Sequence, residues 1–333
     1  MLIWIDRCFN TPSLRTHATA RRALKNLIMH NKQYSYLLER SIETLFLATT
    51  PKALESYIEV ISDIFMSEAA PVIPYWMVLS ALLFVLGDEE SKTRMKAARL
   101  LRFFDDRQSK KAKLQDLDIS ISDKTTAVYK KAQFEISQRL ASQHPELAFH
   151  VFAEFAKHFK ELHADNQRNM VFALLPWIKT VNLQLDPMGG PTAMSYMLMV
   201  NLFEITIKCG SSLHHEIQAL WQALATGPYA GNVQLIVDFV IDLSLNRKYQ
   251  NFVPYAKQVI VFLSTTPAGQ KVIDFLLLQI GPRTMSNERR EFKLSADEPE
   301  ALPYFADLTS TVTGGPKQVG FLVSCYYTRL TYL

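Results

Sequence analysis

Between Thr11 and Gly281, apolar residues recur every three or four positions, and Pro or Gly separates one stripe from the next. A spacing near 3.6 keeps such residues on one face of an α-helix. The pattern therefore predicts an unbroken succession of amphipathic helices. Thr11-Pro12, Thr50-Pro51 and Thr266-Pro267 each read as a helix start, with Thr at the N-cap and Pro at the first helical position. The first stripe is Leu14, Ala20, Leu24, Leu27 and Ile28, with Arg15, Arg22 and Lys25 largely opposite. A second helix is expected from about Tyr34 to Ala48, and a third carries Leu54, Ile58, Ile61 and Phe65. Pro74 opens a wholly apolar helix from Tyr75 to Leu86, which Gly87-Asp88 ends. The helix near Ser91 to Asp106 is expected to turn Met95, Ala98, Leu101 and either Phe103 or Phe104 inward.

From Gln108 to Ser122 the period fades into a polar, charged stretch that reads as a loop or flexible joint. Order resumes with Val128, Ala132, Ile136 and Leu140. His144-Pro145 then starts the cleanest stripe, Leu147, Val151, Phe152, Phe155, Phe159 and Leu162. A helix over roughly Asn166 to Thr180 contains Pro176, which predicts a kink or an early stop. Asp186 to Pro191 reads as a turn, and five helices follow near Thr192–Lys208, Leu213–Ala225, Val233–Leu245, Val253–Ser264 and Ala268–Ile280.

Four segments result: N-terminal helical repeats over 1–107, a charged loop over 108–122, central helical repeats over 123–281, and an irregular or poorly ordered tail over 282–333. The expected fold class is all-α, a HEAT/armadillo-like α-α superhelix in which each hairpin buries its apolar face against its neighbours. An irregular helical globule is the competing architecture. No segment reads as a sheet and no compositional break interrupts the helices, which favours the repeat array.

Composition narrows the functional classes. Hydrophobic residues make up 48% and charged residues 20%, enough apolar surface for a core and far from a disordered composition. The net charge of +4 is too small for the clustered basic footprint of a nucleic-acid binder. Cys8, Cys209 and Cys325 are far apart and odd in number, so they suggest neither a disulfide framework nor a zinc site, and a reducing, cytoplasmic compartment is expected. The first residues lack the form of a signal peptide and read as a helix already under way, as if inside a larger array. Ala69 to Gly87 is uncharged, but Pro71 and Pro74 break it. The twelve residues from Tyr75 to Leu86 rise about 18 Å, well short of the roughly 30 Å hydrocarbon core, so a buried central helix is expected and no transmembrane segment.

The candidate chemical constellations are weak. His150, Glu154 and His158 share a helix face, but the two histidines lie about 12 Å apart along the axis, too far to bind one ion directly. A solvated stripe with Glu154–His158 pairing is the expectation. His214-His215-Glu216 resembles half of a metalloprotease helix, yet position 219 is Ala where the motif needs its second His, so a surface pair at a helix start is expected. Phosphate-loop, dinucleotide and nucleophile-elbow patterns are absent from the sequence. Asp105-Asp106 and Asp88-Glu89-Glu90 read as helix-end charges, since adjacent helical residues do not face each other. Trp4, Trp76, Trp177 and Trp221 all sit within apolar periodicity and are expected in the core. The chain is thus expected to be non-catalytic, with no metal ligands and no cofactor.

One charged region stands out. Lys92 to Lys131 holds 12 Lys/Arg against 5 Asp. Arg94, Arg99, Arg102, Lys110, Lys111, Lys113, Lys130 and Lys131 are its candidate partner-binding residues, for an acidic protein or anionic lipid head groups. A merely solvated face is the alternative.

Several stretches carry a family resemblance: Tyr129 through Leu147 and on through Val151-Phe-Ala-Glu154, then Leu174-Leu-Pro-Trp-Ile178, Asn201-Leu-Phe-Glu-Ile-Thr206 and Ile217-Gln-Ala-Leu-Trp-Gln-Ala-Leu-Ala225. Upstream, Trp4-Ile-Asp-Arg-Cys8, Leu86-Gly-Asp88 and Ala97-Ala-Arg-Leu-Leu101 continue it. In this order, over roughly Trp4 to Val319, the motifs resemble the central region of the Furry family of cell-morphogenesis proteins, fungal-type members in particular. The resemblance implies very large, non-enzymatic HEAT/armadillo-like scaffolds for NDR-type kinases and their Mob coactivators, acting in polarised growth at the cytoplasm and cell cortex. It also implies that this chain is a fragment or truncated product of a larger protein. It brings no catalytic or binding residue with it.

Overall fold

The computed structural model describes residues 1–67, 70–187, 190–246 and 250–280, with positions 304, 306 and 308. Apart from those three positions, the tail expected over 282–333 lies outside the described residues, as do Met188 and Gly189 of the expected turn. The described residues form an all-α helical repeat array with no β-strand. Its helices are α1 Leu2–Phe9, α2 Leu14–Met29, α3 Tyr36–Leu47, α4 Pro51–Phe65, α5 Tyr75–Val85, α6 Ser91–Asp105, α7 Asp118–Ser122, α8 Thr126–Gln143, α9 Ala148–Phe159, α10 Ala164–Lys179, α11 Ala193–Cys209, α12 His214–Ala225, α13 Asn232–Ile241, α14 Val253–Ser264 and α15 Gly269–Ile280.

Two compact units divide the chain: Met1–Val151 with Glu161–Leu174, and Phe152–Lys160 with Leu175–Leu333. In the first unit α3 packs on α4 and α5 on α6, giving two hairpins. Helices α2, α4 and α6 lie side by side, while α3 and α5 pair in the other layer. In the second, α12 with α13 and α14 with α15 form hairpins, α12 pairs with α14, and α13 pairs with α15. Alternate helices thus share a layer within each unit. Such an arrangement lets each hairpin bury its apolar face against the next.

Local chemistry explains most helix boundaries, with two shifts: α15 begins at Gly269, two residues beyond the Pro267 expected to open it, and α2 begins after the expected Thr11-Pro12 start. Thr50 caps α4 as expected, its hydroxyl accepting from Ala53 N at 3.2 Å behind Pro51. Helix α2 is instead capped by Ser13, whose hydroxyl accepts from Thr16 N. Thr11 serves the preceding helix, donating to Cys8 O at 2.8 Å. Pro176 lies inside α10, which ends three residues later at Lys179. The turn near Asp186–Pro191 closes with Asp186 N to Gly190 O at 2.8 Å, and Gly190 holds the positive φ of 91° that favours glycine. Helix α5 is buried from Met77 to Val85, and no helix among the described residues is long and apolar enough to cross a membrane.

Several expectations are corrected. Met95 is 50% exposed, because the buried face of α6 runs through Arg94, Ala97, Ala98, Leu101 and Asp105. Reading Arg94 as a surface residue rotates the helix by about one position, or 100°. Trp4 is 50% exposed, since Ile5, Cys8 and Phe9 form the inward side of α1. Trp76 is half-buried, whereas Trp177 and Trp221 are fully buried. Leu14 and Val128, placed on inward stripes, are exposed. The stretch 108–122 contains a 3-10 turn, Gln115–Leu117, and then α7.

Candidate partner interface

The eight candidate cations fall into two groups, separated by what their neighbours demand. Helix α5 ends in carbonyls that no helical N–H can reach. Side chains from α8 and α10 satisfy them. Gln133 Nε2 donates to Leu83 O at 2.9 Å, Asn169 Nδ2 to Phe84 O at 2.9 Å, and Lys130 Nζ to Gly87 O at 2.8 Å. Asn169 Oδ1 in turn accepts from Lys130 Nζ at 2.6 Å and from Gln133 Nε2 at 3.0 Å. Lys130 is therefore a structural donor, and burial pulls its ammonium pKa down to about 8.

Arg94 is likewise absorbed by the fold. It is fully buried, with its guanidinium at 3.8 Å from the Tyr129 ring centroid. At 2.5–2.8 Å it donates to the carbonyls of Asp88, Glu89, Ile121 and Asp123. Five fixed donors suit four converging carbonyls in a way no other side chain does. Burial lowers its pKa from the usual arginine value, while the nearby Tyr129, Asp88 and Asp123 pull the other way. The partner-binding assignment of Arg94 is thus corrected: it has no surface to offer, because it ties the α5–α6 connection to the end of α7. Arg102, half-buried, pairs with Asp118 of α7. These contacts and Asp105, whose Oδ1 accepts from Ala112 N at 2.7 Å, order the segment expected to be a flexible joint.

The remaining candidates reach solvent. Arg99, Lys110, Lys111, Lys113 and Lys131 are exposed. Lys131 sits 3.9 Å from Glu135 on its own helix, a weak surface pair. Among the described residues, Arg99, Lys110, Lys111 and Lys113 pair with no carboxylate. Lys113 adopts a φ of 52°, rare for a residue with a side chain, at the turn leading into Gln115–Leu117. The exposed basic surface therefore consists of Arg99 on α6, the loop Lys110-Lys111-Ala112-Lys113 and Lys131 on α8.

The other constellations resolve simply. Glu154 and His158 pair at 3.2 Å but are 3% and 4% exposed, so the stripe is buried and not solvated. His150 packs beside Trp76, ring centroids 5.6 Å apart, and burial lowers its pKa. His214 and His215 are exposed at the start of α12. A groove of about 400 Å³ lies at α1, α3 and α4, lined by Ile3, Asp6, Arg40, Thr44 and Tyr57 among others. The Tyr57 hydroxyl donates to Asp6 Oδ1 at 3.2 Å, and burial with the Asp6 charge raises its pKa. No group of three metal-ligating side chains converges among the described residues. Sequence reasoning missed the buried caps Gln133, Asn169 and Asn232. Asn232 Nδ2 donates to Val181 O and Leu224 O at 2.9 Å, and its Oδ1 accepts from Leu183 N at 3.0 Å. The available signal was a polar amide at a position the helical period assigns to the core.

The family described as cell morphogenesis central region matches residues 6–323. The chain is 26% identical over 302 residues to the cell polarity protein mor2 of Schizosaccharomyces pombe, an alignment covering 90% of this chain and 14% of that protein. It is 23% identical over 290 residues to the cell morphogenesis protein PAG1 of Saccharomyces cerevisiae, covering 86% of this chain and 12% of the relative. The chain thus spans well under a quarter of the length of the curated relatives it matches.

Proposed function

Since the chain belongs to the Furry family of cell-morphogenesis proteins, whose central-region description it matches over residues 6–323, we propose that it is a non-catalytic scaffold segment acting in polarised growth. Its partners in this reading are an NDR-type kinase and a Mob coactivator, held at the cytoplasmic face of the cell cortex. The family match over nearly the whole chain is the observation that carries the reading. A non-catalytic helical protein suits it, because tethering two partners raises their effective concentration without new chemistry. The surface offered to them is Arg99, Lys110, Lys111, Lys113 and Lys131, with Arg102 at its margin. Co-purification of the full chain with an NDR-type kinase and its Mob protein tests the reading. Enrichment above an unrelated helical-repeat protein is expected, and equal recovery of both would refute it.

The exposed lysines of the 110–113 loop support a second reading, peripheral adhesion to anionic membrane. Each basic residue near such a surface contributes on the order of 1 kcal/mol, lost as salt screens it. Sedimentation with phosphatidylserine vesicles at low and high salt distinguishes the two. Binding insensitive to anionic lipid content would exclude the membrane reading.

A further inference from the structure

We propose that Ser109 is a phosphorylation site for a serine kinase that reads basic residues, and that its phosphate turns off the basic surface beside it. The site rests on the reading of that surface as a partner interface and supplies its regulation.

Residues 106–111 form the tip of a loop that is closed at its base. The carboxylate of Asp105, the last residue of α6, accepts from Ala112 N at 2.7 Å, and both residues are buried. Between these anchors every residue is exposed except Gln108, which is half-buried. Ser109 stands near the middle of the span, and among the described residues its hydroxyl has no hydrogen-bond partner. Ser91 and Ser122, in the same basic region, instead donate to the carbonyls of Ser122 and Ile119 at 2.8 Å. A kinase draws its acceptor serine into a cleft on a short stretch of backbone, and exposed loop tips yield most readily to such handling. Ser109 is the hydroxyl this loop leaves available.

The flanking charges set the class of kinase. Arg107 stands two residues before Ser109, and Lys110 and Lys111 stand one and two after it. Among the described residues none of the three pairs with a carboxylate, and the Arg107 guanidinium rests 3.9 Å from the Phe103 ring centroid. A substrate cleft lined by carboxylates thus meets cations on both sides of the acceptor, the charge complementarity by which kinases select substrates. Asp106, three residues before the serine, disfavours a kinase that needs a cation there.

The reaction is a phosphoryl transfer from ATP. The bond from the γ-phosphorus to the ADP oxygen breaks, a bond to Ser109 Oγ forms, and the serine proton passes to the kinase's base. At pH 7 the phosphate brings about −1.5 to −2 charges, against the three cations Lys110, Lys111 and Lys113. Half or more of the loop's charge is cancelled. The phosphate oxygens also draw the neighbouring ammonium groups into charge-assisted hydrogen bonds, which takes them from a partner.

The test uses the full chain, ATP and the catalytic domain of protein kinase C, a kinase that reads basic residues on both sides of its serine. Tandem mass spectrometry is expected to find phosphate on Ser109, with total incorporation falling in Ser109→Ala. Arg107→Gln with Lys111→Gln should slow modification of Ser109 by about tenfold. Fluorescent heparin, a polyanion without a fitted site, then reads the surface charge. Phosphorylation should weaken its binding about tenfold, and Lys110→Glu with Lys111→Glu should weaken it at least as much. An unmodified Ser109 would overturn the site. Modification of a peptide of residues 103–113 alone would show that the folded loop is closed to the kinase, and an unmodified peptide that its charges are not read. Undiminished heparin binding after phosphorylation would overturn the switch. A parent chain that heparin ignores, or that the lysine variant matches, would instead refute the basic surface and remove the basis of the proposal.

Discussion

At the scale of single residues, the decisive groups are polar side chains buried where a helix runs out of its own donors. Arg94 answers four backbone carbonyls at once. Arg94→Met fills similar volume but leaves those carbonyls without partners, so a loss of about 3–5 kcal/mol in urea unfolding is expected. Gly87 is constrained by close approach, since a Cβ there would lie 1.7 Å from Asn169 Oδ1. Asn169 cannot swing aside without releasing Phe84 O, Gln133 and Lys130. Gly87→Ala should therefore cost about 2–3 kcal/mol in the parent and much less in an Asn169→Ala background, a coupling that a double-mutant cycle reads directly. Lys130 has a pKa lowered to about 8 by burial, from an ordinary 10.5. Between these values the unfolded chain binds the proton that the folded chain has released, so stability rises with pH across that window. The urea midpoint of the parent should gain on that of Lys130→Met between pH 7 and about pH 9.5, below the range where Tyr57 and Tyr75 ionise in the unfolded chain. A flat difference between the two proteins would show that Lys130 is not desolvated.

At the scale of elements, the helix starts separate two uses of the same dipeptide. Thr50 caps α4, whereas Thr11 closes α1 and leaves the capping of α2 to Ser13. Thr50→Ala should cost about 1 kcal/mol in thermal or urea unfolding, and Ser13→Ala should weaken α2 more than Thr11→Ala does. Helix α7 shows the opposite dependence. At five residues it is far too short to stand alone, and it exists because Arg94 and Arg102 hold it. Its local sequence carries no strong helical period, which is why the segment reads as a joint when taken alone. The stripes on α4 and α9 were legible because their periodicity and their burial agree. On α6 they disagree, and a single inward arginine turns the reading by one residue.

At the scale of the molecule, the alternation of layers within each unit leaves loops and helix ends for recognition. The exposed loop Lys110-Lys111-Ala112-Lys113 carries three cations and no compensating carboxylate of its own. Reversing all three to Glu should leave helical circular dichroism unchanged, because none of the three is buried. It should lower recovery of the kinase–Mob pair several-fold, with the parent's binding falling as salt is raised. Unchanged recovery would move the partner surface away from this loop. Of the eight cations read from the sequence as a surface, five are exposed, Arg102 is spent on Asp118, and Arg94 and Lys130 belong to the frame.

The linear pattern alone determined that the chain is helical, where most helices begin and end, and which family it joins, because periodicity and turn residues act over a few positions. Which charged groups face solvent was decided only in three dimensions. Arginine, lysine and asparagine turn inward wherever carbonyls converge from segments distant in sequence. That convergence depends on how helices stack, and no local signal records it.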